Sequence, residues 1–302
     1  MKVWRDLFHG HSLIIQRKSS VKQILLVGKG AWSTKVSNAI SASHSDWNVE
    51  VISARTLISM NEHSNEFHEI IRKADLLWIA TTPQNQIQVL QKLQSKETRV
   101  ILEKPIATTP SDFIALKPLL KNSACKVYLS QPWTFSSLWG EAKNILLSLQ
   151  GDLKIEAIRG GDLSRVGFPP EIDWAPHDLY LLADYLKSSG NEDGNSHSVS
   201  RQLVGRNIVL KYDFGADLVF EMTAGYRETR QAQWRVFLDG RLVLTLDFET
   251  LQLIDHRSAD LKKFVAHTSS PLESMLNAAL QEEPNVDWQL VFKLYEDLVG
   301  SE

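Results

Sequence analysis

The sequence has 302 residues, of which 43% are hydrophobic and 23% are charged, and its formal net charge at pH 7 is −3. This composition is typical of a globular protein, and the length exceeds what one hydrophobic core usually supports, so we expect two domains. The weak net charge and the lack of a dense block of lysine and arginine argue against a nucleic acid or a membrane surface as the partner.

The first twenty residues, "MKVWRDLFHGHSLIIQRKSS", lack the apolar core and the cleavage site of a signal peptide. No stretch of the chain reaches the roughly 18 apolar residues of a membrane span. We therefore expect a cytoplasmic protein in which 1–20 is a lead-in segment. The single cysteine, Cys125, has no ligand-spaced His or Cys neighbours, so we interpret it as a small buried residue and predict no metal site.

From Val21 to about residue 130, strand-like and helix-like stretches alternate. The strand-like stretches, such as "KQILLVG", "DLLWIATTP" and "TRVILEKP", are continuous apolar runs, which predicts strands buried on both faces. Buried strands joined by helices are typical of a parallel sheet. We therefore predict an N-terminal α/β domain, 1–130, built on a doubly wound Rossmann sheet.

The pattern changes in the second half, 131–302. Helix-like stretches such as "SSLWGEAKNILLSL" and "PHDLYLLADYLKSS" precede a region of alternating apolar residues from about Val199 to His256. Within this region Asp239-Gly240 has the composition of a hairpin turn. We predict an α+β domain on a largely antiparallel sheet, followed by C-terminal helices.

The first predicted strand ends in "VGKGAWS", which places Gly28 and Gly30 at a strand-to-helix turn. Glycines at such a turn let backbone amides approach a diphosphate at the positive end of the helix. The third glycine of the dinucleotide fingerprint is Ser33 here, so the loop is half of the usual motif. A nucleotide-hydrolysing P-loop is excluded, because no Gly-Lys-Ser/Thr sequence closes the loop.

The end of the second strand bears on the choice of cofactor. A site for NAD usually carries an acidic residue there, whereas this chain has Ser53, Ala54 and Arg55. A guanidinium can form paired, charge-assisted bonds to phosphate. We therefore predict NADP(H) over NAD(H), the alternative being a solvated Arg55 at the start of a loop.

Two further groups of residues have the chemistry of a reaction site. Glu103, Lys104 and Pro105 follow a buried strand, where open parallel sheets bind their ligands. Asp173 and His177 lie four residues apart in "PPEIDWAPHDLYLLADYL". Taken alone, Asp173 could be a helix N-cap and His177 a surface imidazole.

The glycine loop, "ATTPQNQ", "EKP" and Asp-x-x-x-His occur in one order and spacing that resembles the Gfo/Idh/MocA oxidoreductases, the glucose-fructose oxidoreductase and inositol dehydrogenase family. The resemblance extends from about Val21 to the final helices. It implies that Lys104 lies beside the nicotinamide and the substrate, that Asp173 binds and orients, and that His177 exchanges a proton with the reacting oxygen. It also implies a cis bond before Pro105.

The cofactor contacts follow from the glycine loop, the second strand and the resemblance together. We predict that they come from Gly28, Gly30, Ala31, Trp32, Ser53, Arg55, Thr81, Thr82, Pro83, Glu103 and Lys104. The chain departs from the family after the third strand, where the usual P-N-x-x-H pattern has Ile87 at the histidine position. We expect a reshaped pocket.

Elementary chemistry supports the same roles. Hydride reduction of a carbonyl needs a proton donor and positive charge where the oxygen becomes negative. Imidazole titrates near pH 6.5, whereas a lysine amine near 10.4 must first be lowered by burial. His177 is therefore the better proton donor, and Lys104 polarises and positions.

Several further residues are candidates for contacts with the substrate. Trp133 and Phe135 could stack against a sugar face, although we favour packing at the domain junction. Asp162 and Arg165, together with Arg159, are further candidates for substrate contacts.

These observations predict an NADP(H)-dependent oxidoreductase that interconverts a secondary alcohol and a ketone, or reduces a C=N bond, on a sugar-like or other polar small molecule. The alternative is a dinucleotide-binding sensor or regulatory protein that keeps the fold without turnover. The three residues Lys104, Asp173 and His177 favour the enzyme, since a sensor needs no proton chemistry. The resemblance also implies a homodimer or tetramer that pairs through the second sheet.

Overall fold

The computed structural model describes residues 21–44, 46–161, 168–191, 197–215, 217–257, 262–265, 270–281 and 288–299. These residues form a parallel sheet of five strands and a second, mostly antiparallel sheet of eight strands, both with packed helices. The predicted fold class, a Rossmann-type sheet followed by an α+β region, is therefore confirmed. The described helices include none that is long and apolar enough to cross a membrane.

The parallel sheet has the order β2-β1-β3-β4-β5, and each neighbouring pair is parallel. Its central strands are buried on both faces, as the continuous apolar runs predict. The five strands are β1 (Lys22–Val27), β2 (Trp47–Ile52), β3 (Leu76–Ile79), β4 (Arg99–Leu102) and β5 (Lys126–Leu129).

Helices connect these strands, and local sequence signals set where several of them begin. The hydroxyl of Ser64 accepts from the backbone N–H of Phe67, and that of Thr109 accepts from Asp112. The helices of this region are α1 (Ala31–Ser43), α2 (Ala54–Ser59), α3 (Asn65–Lys73), α4 (Pro83–Leu93) and α5 (Pro110–Asn122). Pro83 and Pro110 occupy first-turn positions, where a missing N–H costs no hydrogen bond.

The second sheet has the order β13-β12-β11-β10-β6-β9-β8-β7, and β6 and β9 are its only parallel neighbours among the described strands. Its strands are β6 (Leu153–Gly161), β7 (Ser198–Val204), β8 (Asn207–Asp213), β9 (Leu218–Tyr226), β10 (Gln231–Leu238), β11 (Arg241–Asp247), β12 (Gln252–Asp255) and β13 (Lys262–Val265). Asp239 and Gly240, at φ of 48° and 78°, form the predicted hairpin turn between β10 and β11. One face of the sheet packs against helices.

The remaining helices join the two sheets. A 3-10 turn (Pro132–Phe135) leads into α6 (Ser137–Ser148), and α7 (Pro170–Ser188) lies against the inner face of the second sheet. The C-terminal helices are α8 (Pro271–Leu280) and α9 (Trp288–Val299). Met275 and Leu276 of α8 pack with Trp78 of the parallel sheet, so the C-terminal part of the chain contributes to the core of the first sheet as well.

One alternative interpretation and one strand end are corrected. Helix α7 begins at Pro170, with Pro169 as its N-cap, so Asp173 lies inside the helix and Pro176 is an interior proline. Strand β2 ends at Ile52, and Arg55 lies in the first turn of α2. Cys125 is buried as predicted, and its thiol donates to the carbonyl of Leu93 at 3.1 Å.

Candidate active site

The turn after β1 has the geometry of a nucleotide-binding loop. Gly28 has φ of 143°, and a Cβ built there would lie 2.2 Å from the carbonyl oxygen of Ala80, so only glycine fits. Its N–H donates to Ile52 O at 2.8 Å, which joins the loop to the end of β2. Gly30 is the N-cap of α1, and a Cβ there would meet no atom of the described residues within 4 Å. The fold therefore leaves open space at the start of this helix.

Ser33 replaces the third glycine without opening the packing between α1 and β3. Its side chain is 1% exposed, and its hydroxyl donates to Ala80 O at 3.2 Å. A hydrogen bond thus substitutes for the close backbone contact that glycine allows. Ala31 begins the helix, and the indole of Trp32 is 48% exposed.

Ser53 and Arg55 lie beside this loop. The Ser53 hydroxyl accepts from the N–H of Thr56 at 3.0 Å and caps α2. Arg55 is exposed in the first turn of that helix. Arg55 is thus an exposed cation three residues after the end of β2.

Thr81 and Thr82 lie in the turn between β3 and α4, Pro83 begins α4, and a buried amide supports this turn. Gln86 is fully buried, and its Nε2 donates to Thr81 O at 2.8 Å and to Glu103 O at 2.9 Å. It thereby joins the turn after β3 to the turn after β4. Sequence reasoning missed Gln86, because "QNQ" at the start of a helix has the composition of a solvated surface.

Glu103 is 3% exposed at the end of β4. Its Oε1 accepts from Ser130 Oγ at 2.6 Å and from the indole of Trp78 at 3.0 Å. Burial raises the pKa of this carboxyl, while hydrogen bonds from Ser130, Trp32 and Trp78 and the nearby charge of Lys104 lower it by less. The net direction of the pKa is therefore upward.

Lys104 points to the second half of the chain. The bond between Lys104 and Pro105 is cis, as the resemblance implies. The lysine Nζ lies 3.1 Å from Asp173 Oδ1 and donates to Asp173 O at 3.0 Å. These side chains are 19% and 14% exposed, so the ion pair is partly screened from water. Two residues that are 69 positions apart in sequence thus meet between the two sheets.

His177 lies one helical turn after Asp173 on α7 and is half-buried. Residues four apart share a helix face, so the imidazole lies on the side of α7 that carries the contact with Lys104. The next residue, Asp178, is fully buried on another side of the helix and forms an ion pair with Arg159 at 2.8 Å.

The predicted substrate contacts have mixed positions. The ring of Trp133 packs edge-on against Phe248 with centroids 5.4 Å apart, and Phe135 packs against the core that α8 shares with the parallel sheet. The guanidinium of Arg159 is engaged by Asp178. Asp162 and Arg165 lie outside the described residues.

Comparisons with known proteins agree with the fold. Residues 22–131 match the profile of the Gfo/Idh/MocA group, described as an oxidoreductase family with an NAD-binding Rossmann fold. A search of curated proteins gave no significant match to the sequence.

Solved structures share the fold over 92% of this chain. UDP-N-acetylglucosamine 3-dehydrogenase from Acidithiobacillus ferrooxidans matches with a TM-score of 0.70, 14% identity and 95% of its own chain covered. Aldose-aldose oxidoreductase from Caulobacter crescentus matches with a TM-score of 0.67, 13% identity and 96% coverage. Biliverdin reductase from Synechocystis sp. PCC 6803, in complex with biliverdin and NADP+, matches with a TM-score of 0.62, 15% identity and 97% of its own chain covered.

Proposed function

We propose that the chain is an NADP(H)-dependent enzyme of the Gfo/Idh/MocA oxidoreductases, whose profile residues 22–131 match, and that it interconverts a secondary alcohol and a ketone or reduces a related C=N bond. The observation that carries the proposal is the contact of Lys104 with Asp173, one helical turn before His177. The contact joins a cation and a carboxylate between the two sheets, and the proposal puts the His177 imidazole on the same side of α7.

The residues around the first turn fit a dinucleotide. Gly28 accepts no side chain, and the space beside Gly30 is open at the N-terminus of α1, where backbone N–H groups favour a diphosphate. When bound, the nicotinamide supplies or accepts the hydride. Thr81, Thr82, Pro83 and Glu103 lie at the carboxyl ends of the neighbouring strands and complete the cofactor side of the site.

The protein's own groups handle charge and protons. Lys104 places its ammonium where the reacting oxygen becomes negative, and Asp173 holds the ammonium in place through a charge-assisted bond. His177 donates the proton that the new alkoxide takes up in the reductive direction and removes it in the oxidative direction.

The preference for NADP(H) rests on Arg55 and on the lack of an acidic residue at the end of β2. An exposed guanidinium at the start of α2 favours a 2′-phosphate through paired, charge-assisted hydrogen bonds. Arg55→Ala should raise the KM for NADPH about tenfold or more, as expected for a lost charged contact, and leave the KM for NADH unchanged. A lower KM for NADH than for NADPH in the unmodified protein would contradict the assignment.

We propose a sugar-like or other polar substrate. Two proteins of the same fold are named as a UDP-N-acetylglucosamine dehydrogenase and an aldose-aldose oxidoreductase, and their names support this class. We also propose a homodimer or tetramer that pairs through the exposed face of the second sheet, which light scattering with in-line chromatography tests directly.

The decisive experiment has two steps. Titration of the protein with NADPH, followed by nicotinamide fluorescence, measures cofactor binding, and a screen of ketoses, nucleotide-linked keto-sugars and cyclic imines measures turnover. His177→Ala and Lys104→Ala should each lower kcat about a hundredfold or more while cofactor affinity stays near normal. Tight binding of NADPH without turnover of any compound would favour the sensor, and full activity in either variant would remove that residue from the mechanism.

A further inference from the structure

Asp178, the residue after His177, has a buried network of hydrogen bonds. Its carboxylate is fully buried and accepts two bonds from Arg159, one from Nε and one from Nη2, each 2.8 Å long. It also accepts from the indole of Trp234 at 2.7 Å. Arg159 is 2% exposed, and its guanidinium lies 5.2 Å from the centroid of the Phe248 ring. The carboxylate is thus held by three donated bonds from groups that packing keeps in place.

Both donors come from the second sheet. Arg159 lies on β6 and Trp234 on β10, which are neighbouring antiparallel strands. The Arg159 fork is planar and bidentate, so it fixes the direction of the carboxylate as well as its distance. The sheet therefore determines how α7 is rotated about its own axis at Asp178.

That rotation also sets where His177 points. Successive residues of an α-helix are separated by about 100° around the axis, so a side chain fixed toward the sheet fixes the direction of its neighbour. Asp173 lies one helical turn before His177, and it meets Lys104 on the same side of α7. A small turn of the helix would move the imidazole relative to the lysine without disturbing the cofactor loop.

We propose that Arg159, Trp234 and Asp178 are positioning residues for the imidazole of His177, an inference that rests on the proposed function. All three residues are buried and bonded to one another, and they act by fixing the rotation of α7. A misplacement of about 1 Å can cost a hundredfold in rate, so loosening this network lowers kcat more than it changes cofactor binding.

The same helix offers a matched control. Asp184 accepts from the indole of Trp139 at 2.6 Å and from Lys143 at 2.8 Å. The chemistry is alike, a carboxylate of α7 bonded to one indole and one cation. However, Asp184 lies eleven residues after Asp173, about 16 Å along the helix axis and away from the contact with Lys104.

The test compares paired variants at temperatures well below their melting points. Arg159→Lys keeps the charge but loses the fork, and Trp234→Phe keeps the ring but loses one hydrogen bond. The controls are Lys143→Arg and Trp139→Phe. Arg159→Lys should lower kcat about tenfold or more with an unchanged KM for NADPH, and Trp234→Phe should lower it severalfold. Both control variants should keep the wild-type kcat, and Trp139→Phe should melt at a lower temperature because its hydrogen bond to Asp184 is lost.

A second measurement needs no turnover. The ring resonances of His177, assigned by their loss in His177→Asn, are recorded by ¹H–¹³C NMR in each folded variant. They should move in Arg159→Lys and Trp234→Phe and stay in place in Trp139→Phe. If Arg159→Lys and Trp234→Phe keep both the wild-type kcat and the wild-type resonances, the network only stabilises the fold and the inference is wrong. If the wild-type protein turns over no substrate, the proposed function fails, while the resonances still decide whether the network positions the imidazole.

Discussion

The buried carboxyl of Glu103 makes a prediction in which two opposing effects compete. The side chain is 3% exposed, and burial raises its pKa above the ordinary value of 4.5. Hydrogen bonds from Ser130 at 2.6 Å and Trp78 at 3.0 Å, with the charge of Lys104, favour the ionised form. Desolvation is the largest of these effects, so the folded protein holds the proton more tightly than the unfolded chain does.

The sign of the effect on stability follows from this difference. Between pH 4.5 and the raised pKa of the folded state, the folded protein binds more protons than the unfolded chain, so stability falls as the pH rises. Below this window the contribution of Glu103 is fully present, and above the folded pKa it is lost. The steepest slope for one group is about 1.4 kcal/mol per pH unit.

Glu103→Gln tests the prediction, because the amide keeps the size of the side chain and an acceptor oxygen but does not titrate. The free energy of unfolding is measured by urea denaturation from pH 4 to pH 8 for both proteins. The stability of the wild type relative to Glu103→Gln should decrease with pH above 4.5 and then become constant. A relative stability that increases with pH would show that the donors and Lys104 outweigh burial, and a constant one would show that the two effects cancel.

Substitutions at three further positions, two beside the glycine loop and the turn after β3 and one under the second sheet, test buried contacts by urea denaturation at pH 7. Gln86→Met removes the donor to Thr81 O and Glu103 O and should cost about 2 kcal/mol or more, since two buried carbonyl groups lose a partner; an unchanged stability would mean that water replaces the amide. Ser33→Ala removes the bond to Ala80 O and should cost about 1 kcal/mol, whereas Ser33→Thr should be worse because the position is 1% exposed. Tyr212→Phe removes the buried bond to Leu294 O at 3.1 Å and should cost about 1 kcal/mol; a stabilised variant would show that this bond is strained.

The sequence predicted the architecture because its two apolar patterns are distinct. Continuous runs such as "KQILLVG" produced strands buried on both faces, and alternating residues such as Ile208, Leu210 and Tyr212 produced a sheet with one covered face. The tight turn at Gly28 was also predictable from the sequence. Its positive φ beside a backbone carbonyl admits only glycine, so a glycine after a strand indicates such a turn.

Other features were not predictable, because they depend on contacts between distant parts of the chain. Gln86 is buried only because the turn after β4 closes over it, seventeen positions later. The start of α7 at Pro170 was missed because two prolines hide a helical pattern that packing against the second sheet completes. The burial of Asp178 is set by Arg159 and Trp234, which lie on two separate strands.

The two opposite charges that follow β4, Glu103 and Lys104, also have a structural explanation that depends on contacts with distant parts of the chain. Glu103 and Lys104 do not close on each other as a surface ion pair. The carboxyl turns into the parallel sheet, where Ser130 and Trp78 receive it, and the ammonium turns to Asp173 on α7. Because neighbouring residues take opposite directions, the strand end is anchored in the nucleotide-binding sheet and presents a cation to the second half of the chain. A reaction between two bound molecules needs a catalytic group that is held in place relative to both of them. An ammonium anchored through one half of the chain and bonded to the other half meets this need.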